Sequence, residues 1–331
     1  MKSFRINNLR IGKNSKTFII AEIGINHDGN FSRCMQMIKK AAKSGADAVK
    51  IQTVNEDESY KKKTKSYKEF KNKNFSDEQI KKLIKYSKKL KIIFFSTPGD
   101  FTSLQRLFDL KIPIIKISSG LSNNFPLIRE IIKRKVPMII STGFSGKKEL
   151  IELKKFLEKY KFKKIAILKC SSKYPLPYNE VNMENFSQIN KLYKYPIGYS
   201  DHTIGITTPL VAVANGASII EKHFTLNRKK NGADHKISLE PKEFYEMVIK
   251  IREIEKIKGS KTLHLPKELR KNKRKFQRVL VAKNEIKKGE KFTLKNIKFV
   301  RVEKSLGKKP NYFFKLENKK SSKNFKKDQI I

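Results

Sequence analysis

From residue 18 the chain alternates short apolar runs with lysine-studded segments whose apolar positions recur every three or four residues. Strands joined by amphipathic helices in a parallel α/β fold give this pattern. The predicted strands are Phe18 to Ile23, Ala48 to Gln52, Ile92 to Ser96, Ile114 to Ile117, Pro137 to Ser141, Ile165 to Cys170, Ile197 to Ser200 and Ser218 to Glu221. Between them the helical pattern covers Phe31 to Ser44, Asp77 to Leu90, Phe101 to Leu110, Asn124 to Arg134, Lys147 to Tyr160, Met183 to Leu192 and Gly205 to Asn215, and Pro241 to Lys258 closes the series. Eight strand–helix units over about 240 residues predict a (β/α)8 TIM barrel. A doubly wound sheet is the alternative, but no G-x-G-x-x-G follows the first strand. Ser76-Asp-Glu-Gln reads as a helix start, and Gly45 and Gly216, each before a strand, read as helix stops.

The pattern changes after Lys258. Residues 259–277 are heavily basic and carry no strand alternation, so they read as a linker after a barrel domain at 1–258. Beyond it, Arg278 to Glu290, Phe292 to Arg301 and Asn324 to Ile331 alternate in short stretches with Lys-Gly turns. A β module at 278–331 buries too little surface to stand alone, so it is expected to pack on another subunit or on the barrel.

Composition adds constraints. The formal net charge is +45, from 76 Lys and Arg against 31 Asp and Glu. A surplus of that size raises nucleic-acid binding as a possibility. It is mostly lysine spread over helix faces, whereas base-reading contacts favour arginine. The expectation is a solvated basic surface with non-specific attraction to polyanions and no specific nucleic-acid site. No apolar run nears the ~18 residues of a membrane span. Met1 to Ile6 carry no apolar signal region, and Cys34 and Cys170 form no disulfide framework. A cytoplasmic protein off the membrane is expected.

In such barrels the catalytic groups sit at the C-terminal ends of the strands. Those ends hold Glu22, Lys50 with Gln52, Thr97, Lys116 with Ser119, Ser141, Ser172, Ser200 with His202, and His223. Lys50 and Lys116 lie in otherwise apolar runs and need an anion if buried. With the hydroxyls they read as a cradle for phosphate or carboxylate; taken singly, each also fits a structural ion pair or turn. If the strands ending at Ser200 and Glu221 are parallel neighbours, His202 and His223 leave the same end of the sheet. They could then meet at one divalent ion with open positions, Mn2+ first and Mg2+ or Co2+ as alternatives. His27 and His235 are placed in loops of the same face, and Cys170 reads as packing.

Taken together, Phe18-Ile-Ile-Ala-Glu22-Ile-Gly-Ile-Asn26-His27-Asp-Gly29, Ala-Val-Lys50-Ile-Gln52-Thr, Phe95-Ser-Thr97-Pro, Lys116-Ile-Ser-Ser119-Gly, Ser141-Thr-Gly, Tyr174-Pro-Leu-Pro, Gly198-Tyr-Ser200-Asp-His202-Thr, Glu221-Lys-His223-Phe and Gly232-Ala-Asp234-His235 resemble the sialic acid synthase family over nearly the whole chain. The C-terminal module resembles the SAF, or antifreeze-like, domain that follows the barrel there. The resemblance implies condensation of phosphoenolpyruvate with an N-acetylmannosamine-type sugar, yielding a nine-carbon 2-keto acid and phosphate. It also implies a homodimer in which each SAF domain caps the partner's barrel. By position, Lys50, Thr97, Lys116, Ser119, Ser141, Ser172, Tyr174 and Ser200 match phosphoenolpyruvate contacts; Gln52, Tyr174, Asp234 and Arg301 match sugar contacts; His202 and His223 match the metal ligands. Glu22 is the candidate for proton handling.

Three positions depart from the family pattern. Leu121 stands where an acidic residue is usual, Val302-Glu303 follow Arg301 in place of Pro-Gly, and the sequence ends at Ile331, earlier than many relatives. Leu121 and the basic surface keep a second reading open, a catalytically impaired barrel that binds a sugar or an anion.

Overall fold

In a computed structural model the structure describes residues 3–12, 14–260, 262–303 and 306–331. It divides into two compact units, Met1–Gly259 and Ser260–Ile331. The first opens with an antiparallel hairpin, β1 (Phe4–Ile6) and β2 (Leu9–Ile11), whose Phe4, Ile6 and Ile11 are buried in the same core as the strands that follow. The hydrophobic pattern did not reveal this hairpin, since three-residue strands are too short to show a period.

Among the described residues, eight parallel strands then close a barrel: β3 (Phe18–Gly24), β4 (Ala48–Thr53), β5 (Ile93–Pro98), β6 (Ile115–Ile117), β7 (Met138–Ser141), β8 (Ile165–Lys169), β9 (Ile197–Asp201) and β10 (Ile219–His223). Each pairs with the next, and β10 closes on β3 in a register that sets His223 beside Glu22. β9 and β10 are parallel neighbours, with Glu221 opposite Ser200 and Lys222 opposite Asp201. Both faces of every strand are covered, which explains why the sequence shows continuous apolar runs rather than alternation.

The helices follow the predicted segments to within a few residues at each end. Ser76 caps Asp77–Lys89 in a capping box with Gln79. Gly45 and Gly216 have φ of 83° and 100°, the left-handed conformation that ends a helix without a Cβ penalty. Pro241–Lys258 closes the ring: Arg252 donates to Asp47 Oδ2 (3.2 Å) and to the carbonyl of Thr17 (2.9 Å). Two short helices, Glu56–Ser59 and Lys65–Phe70, lie in the loop after β4, each too short to show a helical period in the sequence.

In the second unit β11 (Arg278–Ala282) pairs antiparallel with β12 (Ile297–Arg301). Leu280, Ile286, Phe292, Ile297, Phe313 and Phe325 make a small separate core. The third stretch, near Ile331, contributes isolated bridges such as Val281 to Ile330. Residues 267–276, placed in a linker by composition, form a helix. No helix among the described residues is long and apolar enough to cross a membrane.

Candidate active site

The C-terminal ends of the barrel strands surround a cavity of about 190 Å³. Strand alternation decides who enters it. On β10, Glu221 and His223 point in, while Lys222 points out to a buried ion pair with Asp201 (2.5 Å). The barrel residues assigned from the sequence to the anion cradle, the sugar, the metal or proton handling line this cavity, namely Glu22, Lys50, Gln52, Thr97, Lys116, Ser119, Ser141, Ser172, Tyr174, Ser200, His202, His223 and Asp234, whereas His27 and His235 do not. Arg301 belongs to the other unit, where its guanidinium lies 4.3 Å from the Phe276 ring centroid.

The two lysines are buried, and the counter-anions come from the chain itself. Lys50 Nζ lies 2.6 Å from Glu22 Oε2, 3.9 Å from Glu221 Oε2 and donates to Thr97 Oγ1 at 3.0 Å. Lys116 Nζ lies 3.2 Å from Glu221 Oε1, which also accepts from Ser200 Oγ at 3.0 Å. Burial lowers the Lys50 ammonium, but Glu22 and Glu221 outweigh it and hold the group charged. Lys116 has the weaker compensation, and burial leaves it below its ordinary range. Burial is also overcome at Glu221, where Lys116 and Lys50 pull the carboxyl down to about 2. At Glu22 burial wins, helped by the neighbouring Glu221 charge, and its carboxyl is raised. Two carboxylates in one site are thereby pushed apart, one fixed as the anion and one disposed to hold a proton.

Glu221 was not singled out, although it ends the predicted strand Ser218 to Glu221. Its position two residues before His223 on a strand is the signal that would have found it. Asp234 also lines the cavity, its Oδ2 3.7 Å from His223 Nδ1, and burial raises its carboxyl. Leu121 ends a single 3-10 turn, Ser119–Leu121, and packs half-buried against the core.

The imidazoles meet as the strand pairing predicted, with ring centroids 5.4 Å apart. His202 Nδ1 lies 2.7 Å from the carbonyl of Ser171 and donates to it, which turns Nε2 toward the cavity; burial lowers the ring's pKa, but Cys170 and this carbonyl outweigh it and raise it. Tyr174 stacks on that ring at 4.0 Å and its hydroxyl reaches Nε2 at 2.9 Å. His223 Nδ1 is buried without a hydrogen-bond partner among the described residues. Burial, then the charges of His202 and Lys50, keep His223 neutral far below the usual histidine range. A carbonyl orienting one ring nitrogen is how metal-binding histidines are held, and at His202 the other nitrogen is met only by the Tyr174 hydroxyl. No group of three or more His, Cys, Asp or Glu side chains among the described residues is placed to hold a metal ion. The two convergent imidazoles, two nitrogen donors on one wall of the cavity, are the pair that could hold a divalent ion. Cys170 lines the cavity 3.8 Å from His202 Nδ1. Burial raises its thiol, but His202 and Lys116 reverse the shift and lower it.

Comparison with known proteins gives the family and the fold. The sequence profile of the NeuB family matches residues 37–263, and that of the SAF domain matches 277–331. The chain is 38% identical to N,N'-diacetyllegionaminic acid synthase of Campylobacter jejuni, over 96% of this chain and 99% of that protein. It is 34% identical to N-acetylneuraminate-9-phosphate synthase of Mus musculus, over 97% of this chain and 93% of the relative. The crystal structure of N-acetylneuraminic acid synthetase from Leptospira borgpetersenii superposes with a TM-score of 0.79 at 34% identity, covering 82% of this chain and 95% of that one. The chain belongs to the NeuB family, as a TIM barrel followed by a SAF domain.

Proposed function

We propose that the protein is a nonulosonic acid synthase that condenses phosphoenolpyruvate and water with N-acetylmannosamine or a related 2-acetamido hexose, releasing phosphate. The observation that carries this reading is the pairing of two buried lysines with two convergent imidazoles in one cavity at the strand ends. An anion and a polarisable carbonyl can be held there side by side. In the reaction, carbon 3 of phosphoenolpyruvate bonds to the sugar aldehyde, water adds to carbon 2, and the bond from carbon 2 to the phosphate oxygen breaks.

Lys50 and Lys116, with Thr97, Ser119, Ser141 and Ser200, bind the phosphate and carboxylate of phosphoenolpyruvate and stabilise charge as it moves. Ser141 Oγ is buried without a partner among the described residues, a donor waiting for such a ligand. Gln52, Tyr174 and Asp234 orient the sugar, and alignment of two reactants contributes an entropic advantage. Glu22, with its raised carboxyl, holds or moves the proton at the developing alkoxide. His202 and His223 would hold the divalent ion, which when bound supplies Lewis-acid polarisation of the aldehyde. Arg301 would reach the acetamido group from a partner's SAF domain in a homodimer.

The test is phosphate release on incubation with phosphoenolpyruvate, Mn2+ and a panel of 2-acetamido mannose sugars. His202→Ala and His223→Ala are each expected to reduce turnover by at least ~100-fold and to abolish Mn2+ binding measured by electron paramagnetic resonance, with circular dichroism unchanged. Normal turnover in both variants would remove the metal role. A folded wild type that binds the sugars without releasing phosphate would leave the binding-protein reading.

A further inference from the structure

A second cavity, about 390 Å³, opens on the same face of the barrel and shares no lining residue with the first. The chain passes between them at consecutive residues: Asp234 faces the first cavity, and His235 faces the second. Its charged lining consists of Arg33 and Lys230, with no carboxylate among the described residues that line it.

Asp28 lies behind this lining and is outnumbered. Arg33 Nη1 is 2.5 Å from its carboxylate, Lys73 Nζ 3.8 Å, and Lys230 Nζ 4.0 Å. Three cations thus face one anion. Arg33 spends only Nη1, on Asp28 and on the carbonyl of His27, leaving most of its five-donor fork free.

Asn30 and Ser32 of the lining mark the N-terminus of helix Phe31–Lys43. Asn30 caps the amide of Arg33. The amides of Phe31 and Ser32 have no acceptor within the helix, and the helix dipole favours an anion at this end.

An independent observation is His235, which is only 2% exposed and whose Nε2 has no hydrogen-bond partner among the described residues. Its Nδ1 lies 2.8 Å from Thr225 Oγ1, the shortest of that hydroxyl's three contacts; Oγ1 also accepts from the Asn227 amide at 3.2 Å and lies 3.3 Å from the Asn227 carbonyl. In the tautomer where Thr225 donates along this shorter contact in preference to the Asn227 carbonyl, the ring hydrogen lies on Nε2. Asp28 Oδ2, at 3.9 Å, is too far to accept it. A buried donor with no acceptor is costly unless a ligand meets it.

We propose that this cavity binds a phosphate group, as the free ion or as the monoester of a sugar, between the N-terminus of helix Phe31–Lys43 and the side chains of Arg33, Lys230 and His235. TIM barrels commonly hold phosphate between their last strand loops and a helix start. Here the loop after β10 and the helix after β3 supply the two walls. Binding of phosphate itself does not depend on the synthase reading; only the sugar monoester arm rests on it.

The test follows the imidazole 1H–13C signals of the full-length protein during titration with inorganic phosphate, with His235 assigned from a His235→Gln variant. The His235 signal is expected to shift and saturate, with Kd at least tenfold weaker in Lys230→Met and in Arg33→Gln. Circular dichroism checks that both variants fold. A His235 signal that stays fixed up to tens of millimolar phosphate, or an affinity unchanged in both variants, would overturn the proposal. Turnover then separates the sources. If the site serves a phosphorylated acceptor, Lys230→Met raises KM at least tenfold for N-acetylmannosamine 6-phosphate and leaves that for N-acetylmannosamine unchanged. If it serves free phosphate, neither KM moves while the phosphate Kd still weakens. The titration needs no turnover, so failure of the synthase reading leaves its outcome intact.

Discussion

His27 shows what burial does to a single titratable side chain. It is completely buried against Phe75, with ring centroids 4.5 Å apart, and Nδ1 accepts from the amide of Gly29 at 3.0 Å. The sequence placed it in a loop at the catalytic face, and the structure sets it in a turn there. Burial lowers its pKa from 6.5 to about 4, with Lys73 and Arg33 assisting and Asp28 opposing. The unfolded chain therefore takes up a proton near pH 6.5 that the folded chain refuses until about pH 4. Stability from this group is complete above pH 6.5 and is lost as pH falls through that window, by up to about 3 kcal/mol. Urea unfolding at pH 7 and pH 5 measures it: His27→Asn, which keeps an acceptor for Gly29, is expected to lose about 2 kcal/mol less than wild type between the two. Equal losses would place the proton elsewhere. The same scale sets the limit of sequence reading in the cavity. Lys50, Lys116, His202 and His223 were legible because cations and imidazoles are conspicuous at apolar strand ends. Glu221 was not, since nothing in the sequence says that its carboxylate spans two lysines contributed by strands far apart in the chain.

At the scale of elements, the barrel was legible because its strands are apolar on both faces and its helices amphipathic, two patterns that differ even in a lysine-rich chain. The hairpin before β3 and the two short helices after β4 were hidden because each has too few residues for any period to emerge. Close packing between strands was hidden too, and β9 shows where it matters. A Cβ built on Gly198 would lie 2.5 Å from Leu168 Cδ2, 2.6 Å from Ile219 Cβ and 2.6 Å from the Ile219 carbonyl oxygen. The leucine tip can turn, but the strand backbone and a β-branched residue cannot yield without shifting β10. Gly198→Ala is expected to destabilise the fold by about 1–3 kcal/mol through overpacking. Ser200, Glu221 and His223 ride on the same two strands and His202 directly follows one of them, so turnover should fall beyond what the unfolded fraction explains. Thermal unfolding and activity of the purified variant check both; a stability within ~0.5 kcal/mol of wild type would show that the strands separate freely.

At the scale of the whole molecule, a charge of +45 sits outside a cavity that contains its own carboxylates, Glu22, Glu221 and Asp234, against Lys50 and Lys116. The surplus therefore acts at long range, not through contact with the reacting groups. Two opposite responses to salt are expected. Repulsion among the surface lysines opposes the compact state, and the screening length falls from about 10 Å at 0.1 M salt to about 3 Å at 1 M. Raising NaCl from 20 mM to 0.5 M should therefore raise Tm by a few degrees, corresponding to about 1–2 kcal/mol. The same field gathers anions toward the barrel mouth, so screening should lower kcat/KM for phosphoenolpyruvate several-fold while kcat, set within the cavity, stays nearly constant. Differential scanning fluorimetry and initial rates over one salt series read both. A footprint for nucleic acid would instead require the cations to be massed on one surface, yet they lie on helices all round the barrel: Lys81 to Lys89 on one, Lys147 to Lys159 on another and Lys242 to Lys258 on a third. A kcat/KM that ignores salt while Tm climbs would mean that the surface charge repels itself without steering anything inward.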